Sequence, residues 1–173
     1  MEKLESIHLK GYLPYRLRFR HIDKEELGGA FSQEAILETL SKECATFENS
    51  FYSPCDKFFD DENVEIKPIL RPLSDLTKEI EINGFKFIPL IKLAKKYADS
   101  SGYNYDIKIF RNKCFCFSKS SEVEFYFTGV DFKFHGKVVS NQLNLFEKLY
   151  EWHFDVYDLI HNGLAININK LKL

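Results

Sequence analysis

The chain has 173 residues, and its 24 lysines and arginines nearly offset its 26 aspartates and glutamates, which leaves a formal net charge of −2 at pH 7. This balance excludes a strong overall attraction to nucleic acid or to an anionic membrane, and no apolar run reaches the roughly 18 residues of a membrane-spanning helix. A chain of this length can bury a core without disulfides or metals, so we expect a single compact domain over residues 1–173, with an N-terminal subdomain over residues 1–65 as the alternative.

The first predicted strand runs from Leu13 to Arg20, where apolar and basic residues alternate. Leu17 and Phe19 would face the core, because side chains two apart on a strand share a face. The opposite face would carry Arg16, Arg18 and Arg20. Three arginines in one row can contact a phosphate backbone, whereas an ordinary solvent-exposed strand face is the alternative.

A helix and an acidic loop are predicted next. Ser32 is a typical N-cap for a helix from Gln33 to about Lys42. Residues 45–65 follow no regular pattern and are rich in acids, namely Asp56, Asp60, Asp61, Glu62 and Glu65. Their spacing matches no calcium-binding loop, so we interpret this stretch as a solvated loop.

A β-hairpin is the clearest local prediction. Ile80–Ile82 and Phe85–Phe87 alternate on either side of Asn83-Gly84, a dipeptide that favours a two-residue hairpin turn. Pro89 then begins a predicted helix. Its outward positions carry a second basic patch of Lys92, Lys95 and Lys96, which either faces solvent or binds a partner.

An antiparallel meander and a long helix complete the predicted fold. The strands are expected over about 104–111, 113–118, 122–128 and 131–139, and the helix from Asn141 to Gly163. Trp152 lies on the apolar stripe of this helix and is expected in the core. The polar side of the helix carries Glu147, Glu151, Asp155 and Asp158. The predicted class is therefore α+β: an antiparallel meander sheet covered by a long C-terminal amphipathic helix, with shorter helices elsewhere.

The cysteines raise the question of a metal site. Cys114 and Cys116 share one face of a predicted strand and would make half a zinc site. Cys44 and Cys55, or His135, would have to complete it, with a spacing that matches no familiar zinc motif. We interpret the cysteines as reduced core residues, predict no metal or cofactor, and expect a cytoplasmic location in a host cell.

Two acid-x-lysine triplets, Asp106–Lys108 and Asp131–Lys133, have the spacing seen on a strand of many metal-dependent nucleases. The carboxylate would hold magnesium and the lysine would lie beside the attacked phosphate. No motif identifies a further acid, and two such triplets are expected by chance in a charge-rich chain. A nuclease is therefore a minor alternative, and we predict no catalytic residues and no enzymatic activity.

Two segments carry a resemblance to known proteins. They are residues 67–89 (KPILRPLSDLTKEIEINGFKFIP) and residues 140–169 (SNQLNLFEKLYEWHFDVYDLIHNGLAININ), roughly a third of the chain. Together they resemble a group of small, uncharacterised phage and prophage proteins. The resemblance implies a genetic setting and brings no catalytic residues with it. Small phage proteins without enzymatic motifs often bind host proteins, and anti-CRISPR inhibitors are one such class.

The expected function is that of a phage-derived, non-enzymatic binding protein that inhibits a host factor by protein–protein contact. A CRISPR–Cas effector or another defence nuclease, alone or bound to nucleic acid, is the type of partner that the resemblance implies; no membrane is involved. The acidic helix side could compete with nucleic acid for a basic channel, since carboxylates carry the same charge sign as phosphates. A nucleic-acid-binding accessory protein that uses the arginine row is the alternative.

Overall fold

In the computed structural model, the chain divides into two compact units, each with its own sheet. Unit 1 comprises Met1–Pro72 and Tyr150–Leu173, and unit 2 comprises Leu73–Leu149. The structure describes residues 3–23, 34–41, 45–48, 64–100, 105–111, 113–118 and 121–171. Unit 1 thus joins segments from both parts of the sequence, and it differs from the expected subdomain 1–65 by including residues after Leu149.

The described helices and strands confirm the α+β class. The strands are β1 (Arg18–Asp23), β2 (Glu34–Leu40), β3 (Ala45–Glu48), β4 (Val64–Leu70), β5 (Ile80–Ile82), β6 (Phe85–Phe87), β7 (Asp106–Phe110), β8 (Lys113–Phe117), β9 (Glu122–Phe127), β10 (Phe132–Phe134), β11 (Lys137–Val138) and β12 (Ile166–Asn167). The helices are α1 (Ser6–Leu9), α2 (Pro89–Ser100) and α3 (Gln142–Glu151), with 3-10 helices at Lys10–Tyr15, Leu73–Asp75 and Ile168–Lys170. None of the helices in these ranges combines the length and the apolarity that a membrane crossing requires.

The sheet of unit 1 is mixed, with the strand order β12-β4-β1-β2-β3. Strand β1 pairs antiparallel with both β2 and β4, whereas β12 pairs parallel with β4 through Ile166 and Ile69. The core of this unit is apolar and includes Leu9, Tyr12, Leu17, Phe19, Leu37, Leu70 and Leu159. Leu17 and Phe19 are fully buried, which confirms the predicted alternation in that stretch.

Two predictions for unit 1 were wrong in part or in whole. The strand expected from Leu13 begins only at Arg18, because Lys10–Tyr15 form a 3-10 helix and Arg16 adopts a left-handed φ of 55°. The helix expected over Gln33–Lys42 is instead strand β2 over its described residues. Strand β2 is held between β1 and β3, so pairing with partners elsewhere in the sequence outweighs local helix propensity.

The sheet of unit 2 is an antiparallel meander with the order β11-β10-β9-β8-β7. This confirms the first three predicted strands, whereas the stretch predicted as one strand over 131–139 forms two short strands, β10 and β11, with a turn at His135 and Gly136 between them. The hairpin β5–β6 also forms as predicted, with positive φ at Asn83 and Gly84 in its turn. Helix α2 begins at Pro89 as expected and buries Leu93 and Ala94.

One face of this meander is covered by helices. The Cys114 thiol of β8 lies 3.9 Å from the carbonyl of Leu90 on α2. The Phe146 ring of α3 meets the Phe132 ring edge-on, with the ring centroids 5.7 Å apart. Because side chains alternate along a strand, the residues between those that contact the helices point to the opposite side of the sheet. We call this side the open face.

The expected long C-terminal helix is not present: α3 ends at Glu151 instead of continuing to Gly163. Beyond it, backbone groups bond to a distant segment, with the Arg71 amide donating to the His153 carbonyl and the Asp155 amide donating to the Arg71 carbonyl, both at 2.8 Å. These bonds replace the i to i+4 ladder that a helix needs. Trp152 is nevertheless only 4% exposed, which confirms its core position.

Candidate interaction surfaces

The three predicted arginines all form ion pairs within unit 1. Arg16 makes a two-pronged contact with Glu48, with both nitrogen–oxygen distances at 2.7 Å. Arg18 and Arg20 both reach Glu34, at 3.3 and 3.1 Å. Arg18 and Arg20 therefore share one strand face as predicted, whereas Arg16 lies in the turn before β1. Ion pairs at an exposed surface contribute little to stability, so an anionic ligand could displace these carboxylates.

The three predicted lysines lie on the outer side of α2. Lys92, Lys95 and Lys96 are exposed, while Leu93 and Ala94 between them are buried. The ammonium group of Lys92 lies 4.3 Å from the centroid of the Phe87 ring, a cation–π geometry. The helix thus presents positive charge to solvent.

The four predicted acids do not form one helix side. Glu147 and Glu151 are four residues apart on α3, but Asp158 lies beyond the helix with a left-handed φ of 58°. Asp155 is 4% exposed and is part of the interior. The expectation of a continuous acidic stripe was therefore wrong at Asp155, because the chain leaves the helix before reaching it.

Asp155 instead organises the turns after α3. Its two carboxylate oxygens accept hydrogen bonds from the amides of Leu159 and Ile160, each at 2.8 Å. Burial raises the pKa of Asp155, and these amide bonds oppose the rise. A short acidic side chain that bonds to nearby amides competes with helix formation, which explains why this stretch turns.

Tyr12 ties this segment to the N-terminal part of unit 1. Its fully buried hydroxyl donates to the Phe154 carbonyl at 2.6 Å and accepts from the Val156 amide at 3.2 Å. Burial raises the pKa of Tyr12, so the hydroxyl stays protonated. The Nε2 atom of the half-buried His153 lies 2.8 Å from the Tyr15 carbonyl. Burial lowers the pKa of His153. These contacts give Tyr12 and His153, like Asp155, a structural role.

An open cleft of about 360 Å³ lies in unit 1 beside this network. Its walls include Lys3, His8, Tyr157 and Asn162. The rings of His8 and Tyr157 lie 5.6 Å apart, and the Tyr157 hydroxyl lies 3.3 Å from that of Tyr150. The cleft is lined mainly by polar atoms.

The cysteine pair is part of the core of unit 2. Cys114 and Cys116 are buried on the helix-covered face of the sheet. A hydrogen bond to Cys116 and burial both raise the pKa of the Cys114 thiol, and the same bond lowers the pKa of Cys116. Cys44 and Cys55 lie outside the described residues, and His135 occupies an exposed turn. Within the described ranges, no cluster of three or more histidines, cysteines or acids is placed to hold a metal ion.

The nuclease-like triplets are surface features of the same sheet. The Asp106 carboxylate and the Lys108 ammonium form an exposed ion pair at 2.6 Å. Asp131 belongs to the turn before β10, where its backbone amide donates to the hydroxyl oxygen of Thr128 at 3.0 Å. The described ends of the predicted acidic loop are strands, β3 and the first residues of β4, so that part of the prediction was wrong; Asp56, Asp60, Asp61 and Glu62 lie outside the described residues.

Three large aliphatic side chains are exposed around the β10–β11 edge of unit 2. Val130 is 80% exposed, Val138 57% and Leu143 72%. The Gln142 side-chain amide bonds to both backbone groups of Phe132, at 2.9 and 2.7 Å. Val138 lies opposite Lys133 in the strand register, on the face of the sheet that the helices leave uncovered. Leu143 follows Gln142 on α3, which packs on the other face, and Val130 lies in the turn before β10, so the three side chains border this sheet edge from both faces. We call Val130, Val138 and Leu143 the apolar edge.

A second feature crosses the open face of the sheet. Phe110 pairs with Lys113, and Lys133 pairs with Tyr126. Between β8 and β9, Cys114 lies opposite Phe125. Extending this register by one residue places Lys113 of β8 opposite Tyr126 of β9. We call Phe110, Lys113, Tyr126 and Lys133 the aromatic–lysine row. The alternation within each strand was visible in the sequence, but the alignment across four strands depends on a register that it does not specify.

No protein family, curated protein or solved structure matches this chain.

Proposed function

We propose that this is a binding protein that acts by covering a surface of a host protein, and that the apolar edge is its contact. The observation that carries the proposal is the exposure of Val130, Val138 and Leu143 around one end of the sheet. Large apolar side chains exposed along one sheet edge are typical of a surface that a protein partner covers. Burial of one such side chain contributes roughly 1.5–3 kcal/mol, so this group can supply a useful part of a binding free energy.

The resemblance of residues 67–89 and 140–169 to phage proteins suggests the type of partner. A CRISPR–Cas effector or another defence nuclease fits a small phage protein that inhibits by contact. Leu143 belongs to the second of these segments. The exposed lysines of α2, Lys92, Lys95 and Lys96, give unit 2 a charged surface that steers association with an acidic partner.

The test is capture of the partner by tagged protein from host lysate that has been treated with nuclease, followed by a cleavage assay of the captured enzyme. Leu143→Lys should weaken capture at least ten-fold, because a buried apolar contact is replaced by a charge. Phe85→Lys is the matched control, since Phe85 is 74% exposed on the β5–β6 hairpin. Equal capture by the wild type and Leu143→Lys would refute the apolar edge as the contact.

A nucleic-acid-binding accessory protein remains the second candidate. It is supported by the pairing of two guanidinium groups, those of Arg18 and Arg20, with the single carboxylate of Glu34. Replacing Arg16, Arg18 and Arg20 with alanine should then weaken binding to DNA or RNA and reduce its salt dependence. Unchanged binding by this triple variant would eliminate the candidate.

A further inference from the structure

We infer that the aromatic–lysine row of unit 2 is a binding site for single-stranded nucleic acid. This inference is independent of the proposed protein partner. It concerns Phe110, Lys113, Tyr126 and Lys133, which the strand register aligns across β7, β8, β9 and β10. The row combines two aromatic rings with two cationic side chains and contains no acid.

The aromatic members have the exposure that base stacking requires. Phe110 is 60% exposed, and the guanidinium carbon of Arg111 lies 5.1 Å from the centroid of its ring. Tyr126 is half-buried between the two lysines. Bases stack on aromatic rings and on arginine planes, and each stacked base typically contributes about 1–3 kcal/mol. Phe110 with Arg111 and Tyr126 thus provide two stacking positions.

The dimensions of the row fit a short stretch of single strand. Neighbouring strands are about 4.8 Å apart, so Phe110 and Lys133, three strands apart, are separated by about 14 Å. Sheet platforms that carry two or three aromatic positions bind two or three bases in this way. A duplex hides its base faces inside the stack, so the row should prefer single strands.

Positively charged side chains at this end of the open face favour a negatively charged ligand. Lys113, Lys133 and Arg111 lie in or beside the row. The acids of these strands on this face lie outside the row: Glu124 is one row away, and Asp106 and Glu122 are two rows away, where Asp106 forms an ion pair with Lys108. Glu124 reaches Lys113 at 3.1 Å, and a phosphate would compete with this partly exposed carboxylate. A phosphate backbone is the complementary partner for such a row.

The experiment is fluorescence anisotropy with labelled oligo-dT and oligo-rU of about ten nucleotides, a length within the site sizes of known single-strand binders. Titrations at about 50 mM and about 200 mM salt should give weaker binding at the higher concentration. Phe110→Ala and Tyr126→Ala should each weaken binding about 5- to 150-fold. Tyr126→Phe keeps the ring and should retain binding.

Charge variants provide the second measurement. Lys113→Gln with Lys133→Gln should make the slope of log K against log salt shallower by about 1.4, since each single-strand phosphate contact contributes about 0.7. The matched controls are Phe85→Ala and Lys86→Gln on the β5–β6 hairpin, which is outside this sheet. These controls should bind as the wild type does.

Several outcomes would overturn the inference. They are the absence of oligonucleotide binding by the wild-type protein, equal affinity for duplex and single strand, and binding that the row variants leave unchanged. Loss of binding only on replacement of Arg18 and Arg20 would move the site to unit 1. A failure of the protein-capture experiment leaves this test unaffected, so the two proposals fail separately.

Discussion

Replacing Tyr12 with phenylalanine should destabilise unit 1 by about 2–4 kcal/mol. The hydroxyl is the donor to the Phe154 carbonyl and the acceptor for the Val156 amide. Without it, both backbone groups lose a partner, and an unsatisfied buried polar group costs roughly 1–3 kcal/mol. Phe154 is fully buried, so we assign the larger share of the lost stability to its carbonyl. The aromatic ring is retained, which keeps the loss of packing small.

The assay is urea unfolding followed by tryptophan fluorescence. The chain has a single tryptophan, and Trp152 is buried in unit 1, so its emission reports on that unit. Tyr157→Phe is the matched control, because it removes a hydroxyl that makes a 3.3 Å contact with Tyr150 at an exposed position. The control should change the unfolding free energy by less than about 0.5 kcal/mol.

Two results would contradict this role of the Tyr12 hydroxyl. One is an unfolding midpoint for Tyr12→Phe that shifts no more than that of Tyr157→Phe. The other concerns alkaline pH. The folded pKa of Tyr12 is raised above the ordinary value of 10.0, so the unfolded chain loses its proton first and stability should fall as pH rises above 10.0. Tyr12→Phe should remove this part of the alkaline loss.

Three further predictions concern unit 1. Gly11→Ala should destabilise it by about 1–3 kcal/mol in the same urea assay, because an added Cβ would lie 2.6 Å from the Tyr150 ring; wild-type stability would show that the ring moves freely. The pKa of His153 is lowered below 6.5 by burial, so the unfolded state takes up the proton first and stability should be lost as pH falls below 6.5. His153→Gln should reduce this dependence of stability on pH, and an unchanged dependence would contradict the role assigned to His153. The pKa of Asp155 is raised above 3.8, mainly by burial, so stability should fall as pH rises from 3.8 through the folded pKa. Asp155→Asn should remove this dependence and cost about 1–3 kcal/mol, whereas Asp158→Asn should weaken it only in part, because the Asp158 charge is a lesser cause of the raised pKa.

Features encoded by neighbouring residues could be predicted from the sequence. The Asn83-Gly84 turn needs only two residues that tolerate positive φ, and Pro89 needs only a free helix start. The alternation in β9 and the outward lysines of α2 follow in the same way from local periodicity. These parts of the fold and of the candidate surfaces depend on contacts within a few positions of one another.

The remaining features depend on residues far apart in sequence. The apolar stripe continues past Glu151, and only the pairing of Arg71 with Phe154 shows that the helix has ended there. The sequence predicts Asp155 as a surface acid, whereas in the structure its carboxylate accepts hydrogen bonds from the amides of Leu159 and Ile160. Strand β2 likewise forms because β1 and β3 lie on either side of it. Long-range pairing of this kind leaves no mark in local periodicity.

The composition of unit 1 has a consequence for the order of events during synthesis. Unit 2 is continuous, so its whole sequence has been made before Tyr150 is added. Strand β4, in contrast, can pair with β12 only after residues 166 and 167 have been synthesised. The Tyr12 hydroxyl can bond to the Phe154 carbonyl only after 142 further residues have been added. The nascent N-terminal strands therefore spend most of translation without their last partners. A stop codon shortly after Leu149 would leave unit 2 intact in sequence while depriving unit 1 of Trp152, Phe154 and the parallel strand.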